Sequence, residues 1–189
     1  MEKVLTEKQG KALLELARQT IAEKAGVSGS TVSTEEPLPD SKYGTFVTLK
    51  KHGQLRGCIG NLQASESVKD GVIRNAVNAA FHDSRFSPLT ADELPEIEID
   101  ISVLNQPQVL EYSDAQDLIA KLRPGIDGVI LSLGAARATF LPQVWEQLPT
   151  VEQFLGHLCR KAGLPENAWR DSNPRIETYQ VQCFAEGEV

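Results

Sequence analysis

The sequence contains few of the residues that form cross-links or metal centres. It has 3 cysteines and 3 histidines among 189 residues, and no Cys-x-x-Cys pair. An odd number of widely separated cysteines is typical of reduced thiols in a cytoplasm, not of a disulfide framework. The histidines are isolated from one another and from the cysteines, so we expect no metal site. They are His52, His82 and His157.

The sequence also lacks the signals of membrane and nucleic-acid proteins. No apolar run approaches the roughly 20 residues that cross a bilayer, and the polar segment after Met1 makes a signal peptide unexpected. The net charge of −7 opposes nucleic-acid binding, and no strongly basic patch offsets it. Gly-x-Ser-x-Gly, Gly-x-Gly-x-x-Gly and P-loop patterns are absent. We therefore expect a cytoplasmic protein that binds neither membranes nor nucleic acid, and we predict no cofactor.

The composition itself is that of a globular protein, with 41% hydrophobic and 24% charged residues. A chain of 189 residues can bury a core without disulfides or a structural metal. We therefore treat residues 1–189 as one domain, which we expect to consist of two intimately packed subdomains.

Apolar spacing in the first half of the chain predicts a helix, a hairpin, a second helix and a strand. The elements are a helix from Thr6, a hairpin of Phe46–Leu49 with Leu55–Ile59, a helix from Ser65 or Ser67, and a strand over 97–103. The helices follow capping residues, and the strand alternates between apolar and polar side chains. The polar segment 26–42 is predicted to be a surface loop.

The second half of the chain repeats this order. Its elements are a helix capped by Ser113, a hairpin of Val129–Leu133 with Ala138–Leu141, a helix capped by Thr150, and a last strand through Tyr179, Val181 and Cys183. Strands joined by such short turns are antiparallel. We therefore predict an α+β fold of antiparallel sheets with helices packed on them. Cys159 and Cys183 fall on apolar faces and are expected in the core.

The candidate functional site is the turn Arg56-Gly57-Cys58-Ile59-Gly60. Its glycines allow positive φ angles or a close approach of the backbone to a ligand. Arg56 and Cys58 are two residues apart, so an extended strand places them on one face, where the guanidinium favours the thiolate. Arg56 with backbone N–H groups can also hold a carboxylate or phosphate. The competing interpretation is a twisted strand end in which Cys58 is a small buried hydrophobe.

A second candidate segment, Asp83-Ser84-Arg85-Phe86, follows the second predicted helix. In one interpretation Asp83 neutralises Arg56 while Arg85 binds an anion. In the other, Asp83 and Arg85 pair locally and only fix the turn, a kind of surface pair that contributes little stability. Asp127, between two glycines, is interpreted as a turn former first and a ligand second.

Several motifs together resemble one known family. They are Leu55-Arg56-Gly57-Cys58-Ile59-Gly60, Asp83-x-Arg85-Phe86-x-Pro88-x-Thr90, Ile101-Ser102-Val103-Leu104, and Leu141-Pro142-Gln143-Val144-Trp145 with Lys161-Ala162-Gly163-Leu164. The chain is similar, from about Leu5 to Phe184, to the AmmeMemoRadiSam system protein A family. Its animal relatives are named for the Alport syndrome, midface hypoplasia and elliptocytosis chromosomal region. The resemblance implies a larger and a smaller subdomain, with the Arg56–Gly60 turn at a cleft between them.

The resemblance also implies partners, namely a Memo-type protein similar to extradiol dioxygenases and a radical S-adenosylmethionine protein. It supplies no reaction. The favoured hypothesis is a non-catalytic module that binds a partner or a small anion through Arg56, Gly57, Gly60, Asp83 and Arg85. The alternative is an enzyme with Cys58 as nucleophile and Asp83 orienting Arg56, but no histidine is predictably beside Cys58 to act as its base. A nucleic-acid role ranks last on charge.

Overall fold

The computed structural model describes residues 4–27, 37–38, 40 and 42–187. The chain divides into two compact units: unit 1 comprises Met1–Gln106 with Gln182–Val189, and unit 2 comprises Pro107–Val181. The predicted loop 26–42 lies largely outside the described residues. Within the part of the chain that is described, no helix combines the length and the apolar character needed to cross a membrane.

Unit 1 packs two helices on one face of a four-stranded antiparallel sheet. Its elements are α1 (Glu7–Lys24), β1 (Gly44–Lys51), β2 (Gln54–Asn61), α2 (Val68–Phe81), a 3₁₀ helix (Ala91–Glu96), β3 (Ile97–Leu104) and the last strand of the chain, β8 (Val181–Ala185). The strand order is β2-β1-β3-β8, so β2 lies at an edge.

Local capping and alternation explain these elements. Thr6 forms a capping box with Gln9 at the start of α1, and the Ser67 hydroxyl accepts the N–H of Asp70 at the start of α2. On β3 the alternate side chains from Ile97 to Val103 are buried among the residues of α1 and α2. Ile99 and Ile101, for example, are fully buried. The predicted helix, hairpin, helix and strand are all confirmed.

Unit 2 has a second four-stranded antiparallel sheet with its own core. Its elements are β4 (Gln108–Val109), α3 (Ala115–Lys121), β5 (Gly128–Leu133), β6 (Ala136–Phe140), a 3₁₀ helix (Pro142–Glu146), α4 (Val151–Lys161), α5 (Ala168–Asp171) and β7 (Arg175–Tyr179), with strand order β4-β7-β5-β6. Trp145 stacks on Phe154 with ring centroids 3.7 Å apart. The two antiparallel sheets with their helices confirm the predicted α+β class.

Three predictions about the second half are wrong in detail. The predicted last strand is two strands in different sheets, because β7 ends at Tyr179 and β8 begins at Val181. The alternation shifts across this break, so Gln182 is buried and Cys183 is exposed instead of lying in the core. The cap of α3 is Asp114, whose side chain accepts the N–H of Asp117, and not Ser113. By contrast, Cys159 is buried as expected.

Candidate functional site

The turn predicted as the functional site lies on β2, the edge strand of unit 1. In the pairing with β1, Leu49 faces Gly57 and Lys50 faces Leu55, so Arg56 is an extra residue that forms a β-bulge. The bulge breaks the alternation that would put Arg56 and Cys58 on one face. The Arg56 guanidinium turns to the 3₁₀ helix of unit 1, whereas Cys58 lies opposite Thr48.

Arg56 is held by Glu93, not by Asp83 as one interpretation of the sequence required. Its Nε and Nη2 atoms donate to the two Glu93 oxygens over 3.1 and 3.0 Å, and its side chain is only 12% exposed. Glu93 also accepts the N–H of Thr90 and contacts the Lys51 ammonium. The hydrogen bond from Arg56 is the largest cause that lowers the pKa of Glu93 to about 2. The interpretation in which Asp83 neutralises Arg56 is therefore wrong.

Asp83 pairs with Arg85, which was the competing interpretation of the segment. The Arg85 Nε and Nη2 atoms donate to the two Asp83 oxygens over 2.9 and 2.6 Å. Asp83 is 5% exposed. The Arg85 hydrogen bonds, with one from the Cys58 N–H, hold the pKa of Asp83 well below its ordinary value, against the opposing effect of burial. The carboxylate is therefore ionised at neutral pH, and the pair does more than fix a turn.

Asp83 and Arg85 also bind the backbone of Cys58. The Cys58 N–H donates to Asp83 Oδ2 over 2.9 Å, and Arg85 Nη2 donates to the Cys58 carbonyl over 3.2 Å. At a sheet edge these main-chain groups would otherwise face solvent or another strand. The carboxylate supplies an acceptor and the guanidinium a donor, as a neighbouring strand would. We call these two residues the edge clamp.

The glycines of the turn allow close packing instead of an unusual backbone angle. A Cβ atom at Gly57 would lie 2.2 Å from the carbonyl oxygen of Ala79 in α2, and one at Gly60 would lie 2.2 Å from the Phe46 ring. Neither Gly57 nor Gly60 belongs to the described glycines with positive φ. Because α2 lies directly on β2, its end delivers Asp83 to the Cys58 backbone. A ligand-binding role for the two glycines stays a prediction.

The Cys58 thiol is half-buried and contacts a hydroxyl group. Thr48 Oγ1 donates to its sulfur over 3.3 Å. On β1 the alternation places Lys50 on the same face as Thr48, and Asp100 of β3 lies opposite Thr48 and pairs with Lys50. The sequence interpretation missed Thr48, Lys50 and Asp100, although the alternation of the two strands placed them on the polar face.

The histidines lie elsewhere. His52 is at the hairpin tip with φ of 52° and contacts Glu96, and His82 is the exposed C-cap of α2. No hydrogen bond or ion pair among the described residues joins a histidine to Cys58. In the same part of the chain, no three His, Cys, Asp or Glu side chains assemble as metal ligands.

Phe86 brings the two arginines of the site to one aromatic ring. The guanidinium carbon of Arg85 lies 5.5 Å from the ring centroid and that of Arg56 lies 5.9 Å from it. Both distances are within the range of cation–π attraction. Phe86 and Glu93 belong to the segment that follows α2; Phe86 lay in the second candidate segment without an assigned role, and Glu93 was not predicted as a site residue. The site thus contains two arginine–carboxylate pairs that flank one ring at the edge of β2.

Comparison with known proteins agrees with the motifs. A family model described as AMMECR1 matches residues 14–184. A protein of Methanothermobacter thermautotrophicus is 37% identical over 190 residues, which cover 96% of each chain. Another, of Methanopyrus kandleri, is 35% identical and covers 100% of this chain and 93% of its own. The crystal structure of an uncharacterized protein from Pyrococcus horikoshii has a TM-score of 0.82 and 30% identity, with 96% of this chain and 93% of that chain covered. The chain therefore belongs to the AMMECR1 family, to which its sequence motifs pointed.

Proposed function

We propose that this chain is a cytoplasmic binding module that works with a Memo-type protein and a radical S-adenosylmethionine protein, and that it is not itself the catalyst. The observation that carries the proposal is the pairing of the charges around Cys58. Asp83 holds Arg85 and the Cys58 N–H, while Glu93 holds Arg56. A general base must accept a proton from the substrate, but both carboxylates already accept bonds from guanidinium and N–H groups. Such closed pairs build a rigid recognition surface.

The surface that we propose for binding is the outer edge of β2. The Arg85 side chain is 54% exposed and Leu55 is 46% exposed. Arginine is enriched at protein interfaces and among their hot spots. The identity of the partners rests on the family resemblance, because bacterial and archaeal relatives are typically encoded with these two proteins.

Co-purification of the tagged chain with the Memo-type and the radical protein of its own organism tests this proposal. Arg85→Ala should weaken capture by about tenfold or more, the scale of an interface hot spot, while Cys58→Ser should leave it unchanged. Arg123→Ala in unit 2 is the matched control, because Arg123 is also 54% exposed and paired with a buried aspartate. Equal losses for Arg85→Ala and Arg123→Ala, or no capture by the wild type, would contradict the proposal.

An enzyme with a reactive Cys58 is the second candidate, and the Thr48 hydroxyl favours it. The hydroxyl donates to the sulfur over 3.3 Å and fixes the position of the thiol. The test is the alkylation rate of each cysteine against pH, followed by mass spectrometry in the wild type and in Thr48→Val.

If the chain is a binding module, the order in which its cysteines are alkylated should follow their burial. Exposed Cys183 should react first, half-buried Cys58 more slowly, and Cys159 only on unfolding, because burial raises the pKa of the Cys159 thiol. If Cys58 reacts faster than Cys183 at neutral pH, and Thr48→Val slows it, the enzyme becomes the better assignment.

A further inference from the structure

The outer edge of β2 presents its main-chain groups in a definite order. Thr48 faces Cys58 and Phe46 faces Gly60, two residues further on. The Cys58 N–H binds Asp83 and not β1. Since main-chain groups alternate in direction along an antiparallel strand, those of Gly60 point off the edge as well. The order along the edge is Cys58 N–H, Cys58 C=O, Gly60 N–H, Gly60 C=O.

The edge clamp fills the first two of these positions. Asp83 accepts from the Cys58 N–H, and Arg85 donates to the Cys58 carbonyl. The next group, the Gly60 N–H, points off the edge, and outside the strand ladder no hydrogen bond from it is found among the described residues. A neighbouring strand would place an acceptor there, and the clamp itself ends with Arg85.

Arg85 has a donor to share with such an acceptor. Its Nε and Nη2 atoms are used by Asp83 and the Cys58 carbonyl, while Nη1 has no partner in the described part of the chain. The Asp83 fork and the Phe86 ring hold the guanidinium in place. An arginine whose orientation is already fixed loses little freedom when it binds a ligand.

We propose that an oxyanion, a carboxylate or a phosphate group, binds between Arg85 Nη1 and the Gly60 N–H. The oxyanion would be the next acceptor along the edge, after the acceptor Asp83 and the donor Arg85. This inference rests on the proposed function, because it names the group that the site binds. Asp83 neutralises Arg85, so hydrogen bonds and not net charge carry the binding, which is therefore weak. The group belongs either to a small molecule or to an acidic residue of a partner protein.

Titration of the isotope-labelled wild-type chain with inorganic phosphate at constant ionic strength tests the site by NMR. The Gly60 amide and the Arg85 Nε–H resonances should shift together and saturate with one dissociation constant. The Arg123 Nε–H is the internal control, because Arg123 forms the same kind of fork with Asp127. Shifts that do not saturate, or that are equal at Arg123, would overturn the site.

A second variant pair separates fork geometry from charge. Arg85→Lys keeps the positive charge, but an ammonium group lacks the planar fork that donates to Asp83 and to the oxyanion at once. This variant should weaken phosphate binding about tenfold, while Arg123→Lys should leave phosphate binding unchanged. Phosphate binding that is insensitive to Arg85→Lys would also overturn the site.

The same titration in the presence of the partner proteins identifies the source of the oxyanion. It also separates the oxyanion site from the proposed partnership. Phosphate that competes with the Memo-type or radical protein indicates an acidic residue of that partner, and phosphate that binds without competing indicates a small molecule. Partner capture without a phosphate shift overturns this inference alone. A saturable shift without any partner capture overturns the partnership and leaves the oxyanion site.

Discussion

Asp83–Arg85 in unit 1 and Asp127–Arg123 in unit 2 are chemically the same pair in two settings. In each, the aspartate side chain is almost fully buried, at 4% and 3% exposure, and the arginine side chain is 54% exposed. Nε and Nη2 of each arginine donate to the carboxylate. Each aspartate also accepts the backbone N–H of its own arginine. The two pairs share these contacts although Arg85 follows Asp83 by two residues and Arg123 precedes Asp127 by four.

Their remaining contacts distinguish them. Asp127 closes the turn after α3, and its carbonyl accepts the indole N–H of Trp145 over 2.7 Å, so this pair ties a loop to a core. This agrees with the interpretation of Asp127 as a turn former. Asp83 and Arg85 instead bind Cys58, which is 25 and 27 residues away in sequence. The Asp83–Arg85 pair is therefore part of the candidate site because it binds the backbone of another element, β2.

The largest expected effect is the loss of either carboxylate. Asp83→Asn and Asp127→Asn should each lower the free energy of unfolding by about 3 kcal/mol, because each removes the charge of a nearly fully buried side chain that several donors surround. Urea denaturation measures this loss. Native-state hydrogen exchange then separates the two pairs, since only Asp83→Asn should accelerate exchange of the Cys58 amide.

The partly exposed Asp100, whose side chain is 23% exposed, supplies the control for that experiment. Asp100→Asn should change the stability by less than about 1 kcal/mol. If exchange at Cys58 is equally fast in Asp83→Asn and Asp127→Asn, the edge clamp does not hold the strand.

A smaller effect is expected for the second pair of unit 1, Arg56–Glu93. Arg56 shares the Phe86 ring with Arg85, and among the described residues of unit 2 no ring is shared by two arginines. The pKa of Glu93 is lowered to about 2 from 4.5. A lowered folded-state pKa gives stability that is fully present above the ordinary value and is lost as the pH falls through the folded value. The full shift corresponds to about 3 kcal/mol, but solvent screens this partly exposed pair, so Glu93→Gln should cost about 2 kcal/mol at neutral pH.

The pH dependence of this difference is the decisive measurement. Urea denaturation of the wild type and of Glu93→Gln should show the difference shrinking between pH 4.5 and pH 2, the window set by the two pKa values. A difference that stays constant down to pH 2 would mean that the Arg56–Glu93 pair is not its source. Asp83→Asn should respond in the same direction, because the pKa of Asp83 is lowered as well.

The smallest effect is expected at the ring that the two guanidiniums share. Phe86→Leu removes both cation–π contacts and should cost about 1 kcal/mol. The Arg85 Nε–H signal should exchange faster with water in this variant, and that of Arg123 should not. Phe86→Tyr keeps an aromatic ring and is the matched control. Equal exchange rates at Arg85 in Phe86→Leu and Phe86→Tyr would mean that the aromatic ring does not hold the guanidinium.

Much of the fold could be predicted because its determinants are local. The caps at Thr6 and Thr150 act over three residues, and the alternation along 97–103 identifies its own buried face. The candidate site was chosen because its residue types are unusual together, and its functional role stays a prediction. Cys183 shows where local patterns fail: one residue between two strands shifts the alternation, and nothing in the alternation itself marks the change of sheet.

Most of the elements, the α+β class and the family follow from the sequence alone, since each depends on spacings within a few residues or on whole motifs. Only the tertiary structure decided which charges meet. The bulge at Arg56 lets its guanidinium bind Glu93. The packing of α2 against Gly57 places Asp83 and Arg85 beside the Cys58 backbone. The sequence alone is compatible with several different sets of ion pairs among these residues. The choice among them depends on distances of a few ångströms between elements that are dozens of residues apart.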